Sequence, residues 1–275
     1  MKVTALVENS CSCGLDTEHG LSLYIETAGG LRILFDMGQG PLFAKNASLL
    51  GKDLAAVDIA VISHGHYDHG GGLSHFLDLN SRAKVYVNRY AFDEHFSMKE
   101  DGLKYIGLNR TIPDNPKYRD RIVLCGDVCE PAPGLKLFTC QGGPYPRPEG
   151  NGLLYGPDAA TPDDFRHEQN LIIEESGKAF LFAGCAHQGV ENIVRMAEEV
   201  HGGPIGYVFA GMHLIKDAFN AEKLERLARN LLSADGCRYF TMHCTGQENY
   251  QFLKTVMHER LDCLSCGETW SDTFA

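Results

Sequence analysis

The chain has 275 residues, 44% of them hydrophobic, which is enough for one large folded domain and argues against disorder. Its formal net charge of -11 leaves no basic face for general nucleic-acid binding. No stretch approaches the roughly 20 apolar residues of a membrane span, and the apolar start is too short for an export signal, so a cytoplasmic location is expected.

The opening reads as short strands: Val3 to Val7, Leu21 to Thr27 and Leu31 to Phe35, with Gly29-Gly30 as a hairpin turn between the last two. Ala55 to Ile62 is a nearly continuous apolar run of the buried-strand kind, broken by Asp58. Lys84 to Val87 is a further strand. Residues 88–120 are polar with scattered aromatics, and 141–164 is rich in Gly and Pro. Both read as insertions in a single domain spanning 1–275. A loop as long as 141–164 is expected to cover a site, with Tyr145, Arg147 and Tyr155 offered to a ligand.

The second half alternates. Asn170 to Glu174 and Ala179 to Ala183 read as strands, Gln188 to Val200 as a helix with Val190, Ile193, Val194 and Ala197 on one face. Ile205 to Ala210 is a strand, Ala221 to Leu232 a helix, Tyr239 to Met242 a strand and Glu248 to Met257 a helix. Strands first and βαβ-like units later predict two sheets sandwiched between helices. The ten cysteines read mostly as reduced thiols. Cys11-x-Cys13 and Cys263-x-x-Cys266 have no second pair at zinc-ribbon spacing.

The segment Ser63-His64-Gly65-His66-Tyr67-Asp68-His69-Gly70-Gly71-Gly72 carries the chemistry. It follows the apolar run directly and places three imidazoles and a carboxylate within six residues. That ligand set suits zinc, manganese or iron. A polar turn that is His-rich by chance would not have this order after a buried strand.

The order H-x-H-x-D-H resembles the signature of the metallo-β-lactamase superfamily. Ile33 to Gly38, Phe180 to Cys185 and Tyr239 to Cys244 resemble its other strand-end elements in sequence order, with Cys185 where a bridging Asp is usual. Glu8-Asn9, His19 to Ser22, Gly184 to His187, Gly211 to Leu214 and His243 to Gly246 resemble the subgroup of dihydropterin ribofuranosyl-aminobenzene phosphate synthases. The resemblance implies an α/β four-layer αββα sandwich holding two divalent metal ions, zinc by preference. It implies His64 and His66 on one metal, and Asp68, His69 and His243 on the other. Asp36 is expected to orient the ligand loop from behind.

The first metal then lacks a third ligand. His187 is favoured, because residues two apart in an extended chain point to one side and Cys185 shares that strand end. His167 is the fallback. Cys185 is a metal contact or a bystander. His213 is given a role in the site, catalytic along with Asp68, and His19 is left open. His75, His95, His201 and His258 are assigned to surface or packing, and Met98, Met196 and Met257 to filler.

These residues imply a hydrolase in which a dimetal-activated water attacks an ester, lactone or phosphate ester of an anionic small molecule. The alternatives are a transferase forming a C–N bond on a pterin diphosphate, an iron redox enzyme, and a degenerate metal-binding protein on the same scaffold.

Overall fold

The structure, a computed structural model, describes residues 1–272. In chain order the strands and helices are β1 (Lys2–Val7), β2 (Ser22–Glu26), β3 (Arg32–Phe35), α1 (Leu42–Leu49), β4 (Ile59–Ile62), α2 (Tyr67–Gly70), α3 (Leu73–Leu79), β5 (Lys84–Asn88), β6 (Phe96–Lys99), β7 (Gly102–Tyr105), β8 (Ile122–Cys125), β9 (Val128–Ala132), β10 (Leu135–Phe138), β11 (Leu154–Tyr155), β12 (Asn170–Glu175), β13 (Lys178–Ala183), α4 (Val190–His201), β14 (Tyr207–Ala210), α5 (Ala221–Leu232), β15 (Arg238–Thr241), α6 (Gln247–Met257), β16 (Leu261–Cys263) and β17 (Thr269–Ser271).

Two seven-stranded sheets, ordered β17-β1-β2-β3-β4-β5-β8 and β16-β15-β14-β13-β12-β10-β9, pack face to face. Alternation along the strands builds the layers. Ile33 and Phe35 of β3, and Phe180 and Phe182 of β13, point between the sheets, where Phe182, Phe209 and Phe240 stack at 4.9 and 4.7 Å. The intervening residues, Leu34 and Leu181, face outward onto helices. The outer face of the first sheet is covered by α1 and α3 through Phe43, Ala47 and Phe76. The other sheet is covered by α4, α5 and α6, whose apolar positions recur at helical spacing. The αββα sandwich expected from the sequence is therefore present. Among the described residues no helix is long and apolar enough to cross a membrane.

Three expectations change. The apolar run from Ala55 is not one strand: Leu54–Ala56 is a 3-10 turn whose Ala55 N–H is capped by the Asp53 side chain, and the strand begins at Ile59. Asp58 divides the two because its carboxylate accepts the Arg32 backbone N–H. The polar 88–120 segment contains a β6–β7 hairpin, and β11 from the Gly/Pro-rich segment joins it in a small third sheet. The two cysteine pairs also meet in space, because Cys11 pairs with Cys266 through backbone contact and Cys11 Sγ lies 3.4 Å from Cys13 Sγ. All ten cysteines are unpaired thiols.

The topology makes a site at one rim. Strands β3 and β4 are parallel in one sheet, and β13, β14 and β15 are parallel in the other. Asp36, Ser63, Gly184, Gly211 and Met242 each follow the last residue of one of these strands. At this rim four non-glycine residues shortly past strand ends have left-handed backbones: Asp36, Ala186, His213 and His243, with φ between 48° and 60°. Such conformations cost of order 1–3 kcal/mol each and persist where the surroundings over-determine them.

Candidate metal centre

Asp36 is fully buried and organises the ligand loop. One oxygen accepts the Ser63 backbone N–H at 2.7 Å; the other accepts the Ser63 hydroxyl at 2.7 Å and His69 Nδ1–H at 2.6 Å. With its proton committed to Asp36, the Ser63 hydroxyl accepts from His64 Nδ1 at 2.9 Å. A side chain on Gly184 would put its Cβ 2.2 Å from Ser63 Oγ, so only glycine allows this approach. Both rings are thus fixed in the tautomer that leaves Nε2 bare.

Two asparagines do the same elsewhere. Asn151 donates to the His187 carbonyl at 2.8 Å, which turns its oxygen to accept His187 Nδ1–H at 2.9 Å. Asn9 donates to the His243 carbonyl at 3.2 Å and accepts His243 Nδ1–H at 2.8 Å. Again Nε2 is left bare, and that of His187 is buried without any partner. Glu8 accepts the His243 backbone N–H at 2.6 Å, and buried Glu168 accepts those of His187 and Gln188 at 2.6 and 3.1 Å.

The bare nitrogens converge. His64 Nε2 lies 3.1 Å from His66 Nδ1, and His69 Nε2 lies 3.3 Å from His243 Nε2 and 3.1 Å from Cys185 Sγ. Asp68 reaches His243 at 3.5 Å and His69 at 4.0 Å. Ligands about 2.1 Å from a tetrahedral ion stand roughly 3.4 Å apart, so the spacing fits a metal. Three groups of potential ligands share Cys185: one with His64 and His187, one with His69 and His243, and one with His213 and Cys244. Cys185 therefore lies between the first two.

Burial and the neighbouring charges set the protonation of these groups in opposite directions. Burial, reinforced by neighbouring imidazoles, holds His64 and His187 well below the usual histidine value. Burial likewise lowers His66, with His167 adding to it. Burial would also lower His69, but the Asp36 and Asp68 carboxylates raise it to about 9, so a proton there competes with a metal. Burial raises Asp68, yet His69 and His243 pull it well below the carboxylate range. Burial pushes the Cys185 thiol well up, with Cys244 adding to it.

Of the expected residues, His64, His66, Asp68, His69, Cys185, His187 and His243 are brought together, with Asp36 behind them. His167 is not available as a ligand, since its Nδ1 accepts the Gly65 N–H at 2.9 Å and its Nε2 meets Asp163 at 3.2 Å. The extended-chain reason for favouring His187 does not hold, because Ala186 at φ 52° makes a turn between it and Cys185. His213 packs 4.2 Å from the His187 ring with a buried, unpartnered Nδ1. His19 reaches Asp68 at 3.4 Å.

A cavity of about 760 Å³ opens over the centre, with His19, Asp68, Cys185, His213 and His243 at its base. Leu153, Leu154 and Gly150 of the 141–164 segment wall it, together with Met98, Ile106 and Ile215. Met98 is thus a wall residue rather than filler. Tyr145, Arg147 and Tyr155 do not line this cavity. His95, assigned to surface or packing, is buried beside the ring of His66. Ser63, Asn151 and Glu168 were missed, because single polar residues carry no spacing signal. Glu8-Asn9 was visible only as part of the subgroup pattern.

The sequence model of the metallo-β-lactamase superfamily matches residues 15–187, more than half of the chain, and the chain belongs to this superfamily. It is 26% identical over 276 residues to the 7,8-dihydropterin-6-methyl-4-(β-D-ribofuranosyl)-aminobenzene-5'-phosphate synthase of Methanocaldococcus jannaschii, covering 92% of this chain and 89% of that one. Among solved structures it is similar to Tm1679, a metal-dependent hydrolase of the β-lactamase superfamily, with TM-score 0.79, 25% identity and full coverage of both chains. Zn(2+)-bound PqqB from Methylobacterium extorquens shares the fold at TM-score 0.59 and 13% identity, over 98% of this chain and 100% of that one.

Proposed function

We propose that this chain is a metal-dependent hydrolase acting on an anionic small molecule. The observation that carries the reading is the clustering of His64, His69, His187 and His243 around Cys185, with Asp68 beside His243 and His66 beside His64, below an open cavity. His64, His66 and His187 would hold one divalent ion, and Asp68, His69 and His243 a second, with Cys185 between. Imidazole, carboxylate and thiolate together favour zinc, with manganese or iron as alternatives. Such a pair supplies a water of lowered pKa and positive charge for the developing anion.

The chain's own groups do the rest. Asp68, held well below the usual range, is a weak base, so it orients the attacking water by accepting its hydrogen bond. His213 lines the cavity beside the centre and would protonate the leaving group. The cavity lining carries both signs, Lys99 and Lys216 beside Glu100 and Asp101, so attraction of an anionic group would come from the metal ions, while Met98, Leu153 and Ile215 offer an apolar wall. An ester, lactone or phosphate ester with an apolar body fits this division. A second reading is a transferase forming a C–N bond on a pterin diphosphate. The likeness to the named synthase along most of both chains favours it.

The test is a panel of phosphomonoesters, phosphodiesters and lactones with metal-replete protein, using Asp68→Ala as control. Hydrolysis lost in the variant supports the reading. No hydrolysis, with coupling of a pterin diphosphate to an arylamine instead, rejects it in favour of the transferase.

A further inference from the structure

Behind His66 lies a second polar cluster that the chemistry above does not use. His66, His95, Asp163 and His167 are all buried, and each places a donor atom within 4.8 Å of the others. Asp163 Oδ1 accepts the Phe165 N–H at 2.8 Å. Its Oδ2 faces His95 Nδ1 at 3.1 Å and His167 Nε2 at 3.2 Å. Because His167 Nδ1 already accepts the Gly65 N–H, its Nε2 carries the proton and donates to Asp163. His95 likewise donates from Nδ1, which leaves its Nε2 a lone pair. That nitrogen is buried and without a partner, and so is His66 Nε2. A Cβ on Gly65 would stand 2.6 Å from His95 Nε2, so the bare nitrogen lies against the ligand loop.

We propose that Asp163 acts through His95 and His167 as a positioning device for His66. The proposal rests on the reading of His66 as a metal ligand through Nδ1. A neutral imidazole ligating through Nδ1 carries its proton on Nε2, the donor that His95 Nε2 lacks. Neither Nε2 has a partner as the rings stand, and a proton on His66 Nε2 would draw the two into a hydrogen bond, giving the order carboxylate, His95, His66, metal. The second arm, from Asp163 through His167 to the Gly65 N–H, holds the backbone just before His66. Burial opposes charge on Asp163, but the hydrogen bonds from His167 and His95 keep it ionised, and burial keeps His167 neutral. A carboxylate behind a ligand imidazole raises its basicity and fixes its ring. A third metal ion fits the cluster less well, because His167 has no free nitrogen and both Asp163 oxygens are engaged.

The arrangement also gives the two segments outside the sandwich a shared task. His95 comes from 88–120 and Asp163 from 141–164, and they meet at the metal ligand loop.

The test is zinc titration of the chelator-stripped full chain against a competing chromophoric chelator, with the cobalt(II) spectrum as a second readout. His95→Phe should weaken one of two metal equivalents about ten- to hundredfold and leave the other within about threefold. His95→Gln, which keeps one donor toward Asp163 and one acceptor toward His66, should restore most of that loss. Asp163→Asn turns an amide NH2 toward both rings, inverts their tautomers and should act like His95→Phe; it gives the same reading should His95→Phe not fold. Equal loss in His95→Phe and His95→Gln, or no loss in either His95→Phe or Asp163→Asn, overturns the proposal. A third zinc equivalent in the parent that disappears in His95→Phe overturns it in favour of a metal site. A parent that binds no metal overturns both this proposal and the functional reading.

Discussion

Replacing Asp36 with Asn changes one proton in the centre and little else. Asparagine has the same shape and tolerates the left-handed backbone at φ 60° better than most residues. With its oxygen toward the Ser63 N–H, the new NH2 faces His69 Nδ1 and the Ser63 hydroxyl, both donors in the parent. His69 must then move its proton to Nε2, the nitrogen that faces His243 and Cys185. The flipped amide instead sets NH2 against the Ser63 N–H, a buried donor left unpaired at about 1–3 kcal/mol. Loss of a carboxylate behind a ligand histidine costs about ten- to hundredfold in metal affinity, or roughly 1.4–3 kcal/mol. Competition against a chromophoric chelator measures it, with the melting temperature of the metal-free variant as a check on folding. Affinity within about threefold of the parent at both equivalents would refute the tautomer argument.

Three further outcomes are expected. His187→Ala should remove one metal equivalent by elemental analysis, whereas His167→Ala should retain two, because only His187 has a bare nitrogen in the centre; the reverse result would exchange their roles. Burial raises Glu168 to about 7 from an ordinary value of 4.5, so the folded apoprotein binds this proton more tightly than the unfolded chain. Its contribution is therefore present below pH 4.5 and lost as pH rises to 7, by roughly 3 kcal/mol. The stability difference between the parent and Glu168→Gln in urea should change by that amount across the window, and a constant difference would contradict it. Phe209→Ala, between the stacked Phe182 and Phe240, should destabilise by about 3–5 kcal/mol, a melting shift on the order of 10 °C; a shift under about 2 °C would place Phe209 outside the core.

The residues most visible in the sequence were those whose spacing is itself the chemistry. The segment from His64 to His69 showed its ligands without any structure, and helices α4 and α5 showed their faces because burial imposes a 3.6-residue period. Short strands with only partly buried faces, such as β6 and β7, carry no such period and fall in a segment that reads as a polar insertion. Contacts between distant segments were hidden for a different reason. Nothing in the sequence around Asn151 says that its amide will meet His187, 36 positions away. His95 and Asp163 are 68 positions apart, in segments whose polarity suggested solvent rather than a buried network. His187 was favoured on an extended-chain argument that the turn at Ala186 removes, and the bare Nε2 is a better reason for the same residue.

The central claim is a two-metal centre, and stoichiometry tests it most directly. Protein stripped with chelator and titrated with zinc in a calorimeter should take up two equivalents per chain. Asp68→Ala, which removes a ligand from the second ion only, should take up one with high affinity. Saturation of the parent at one equivalent, or no uptake at all, would contradict the account.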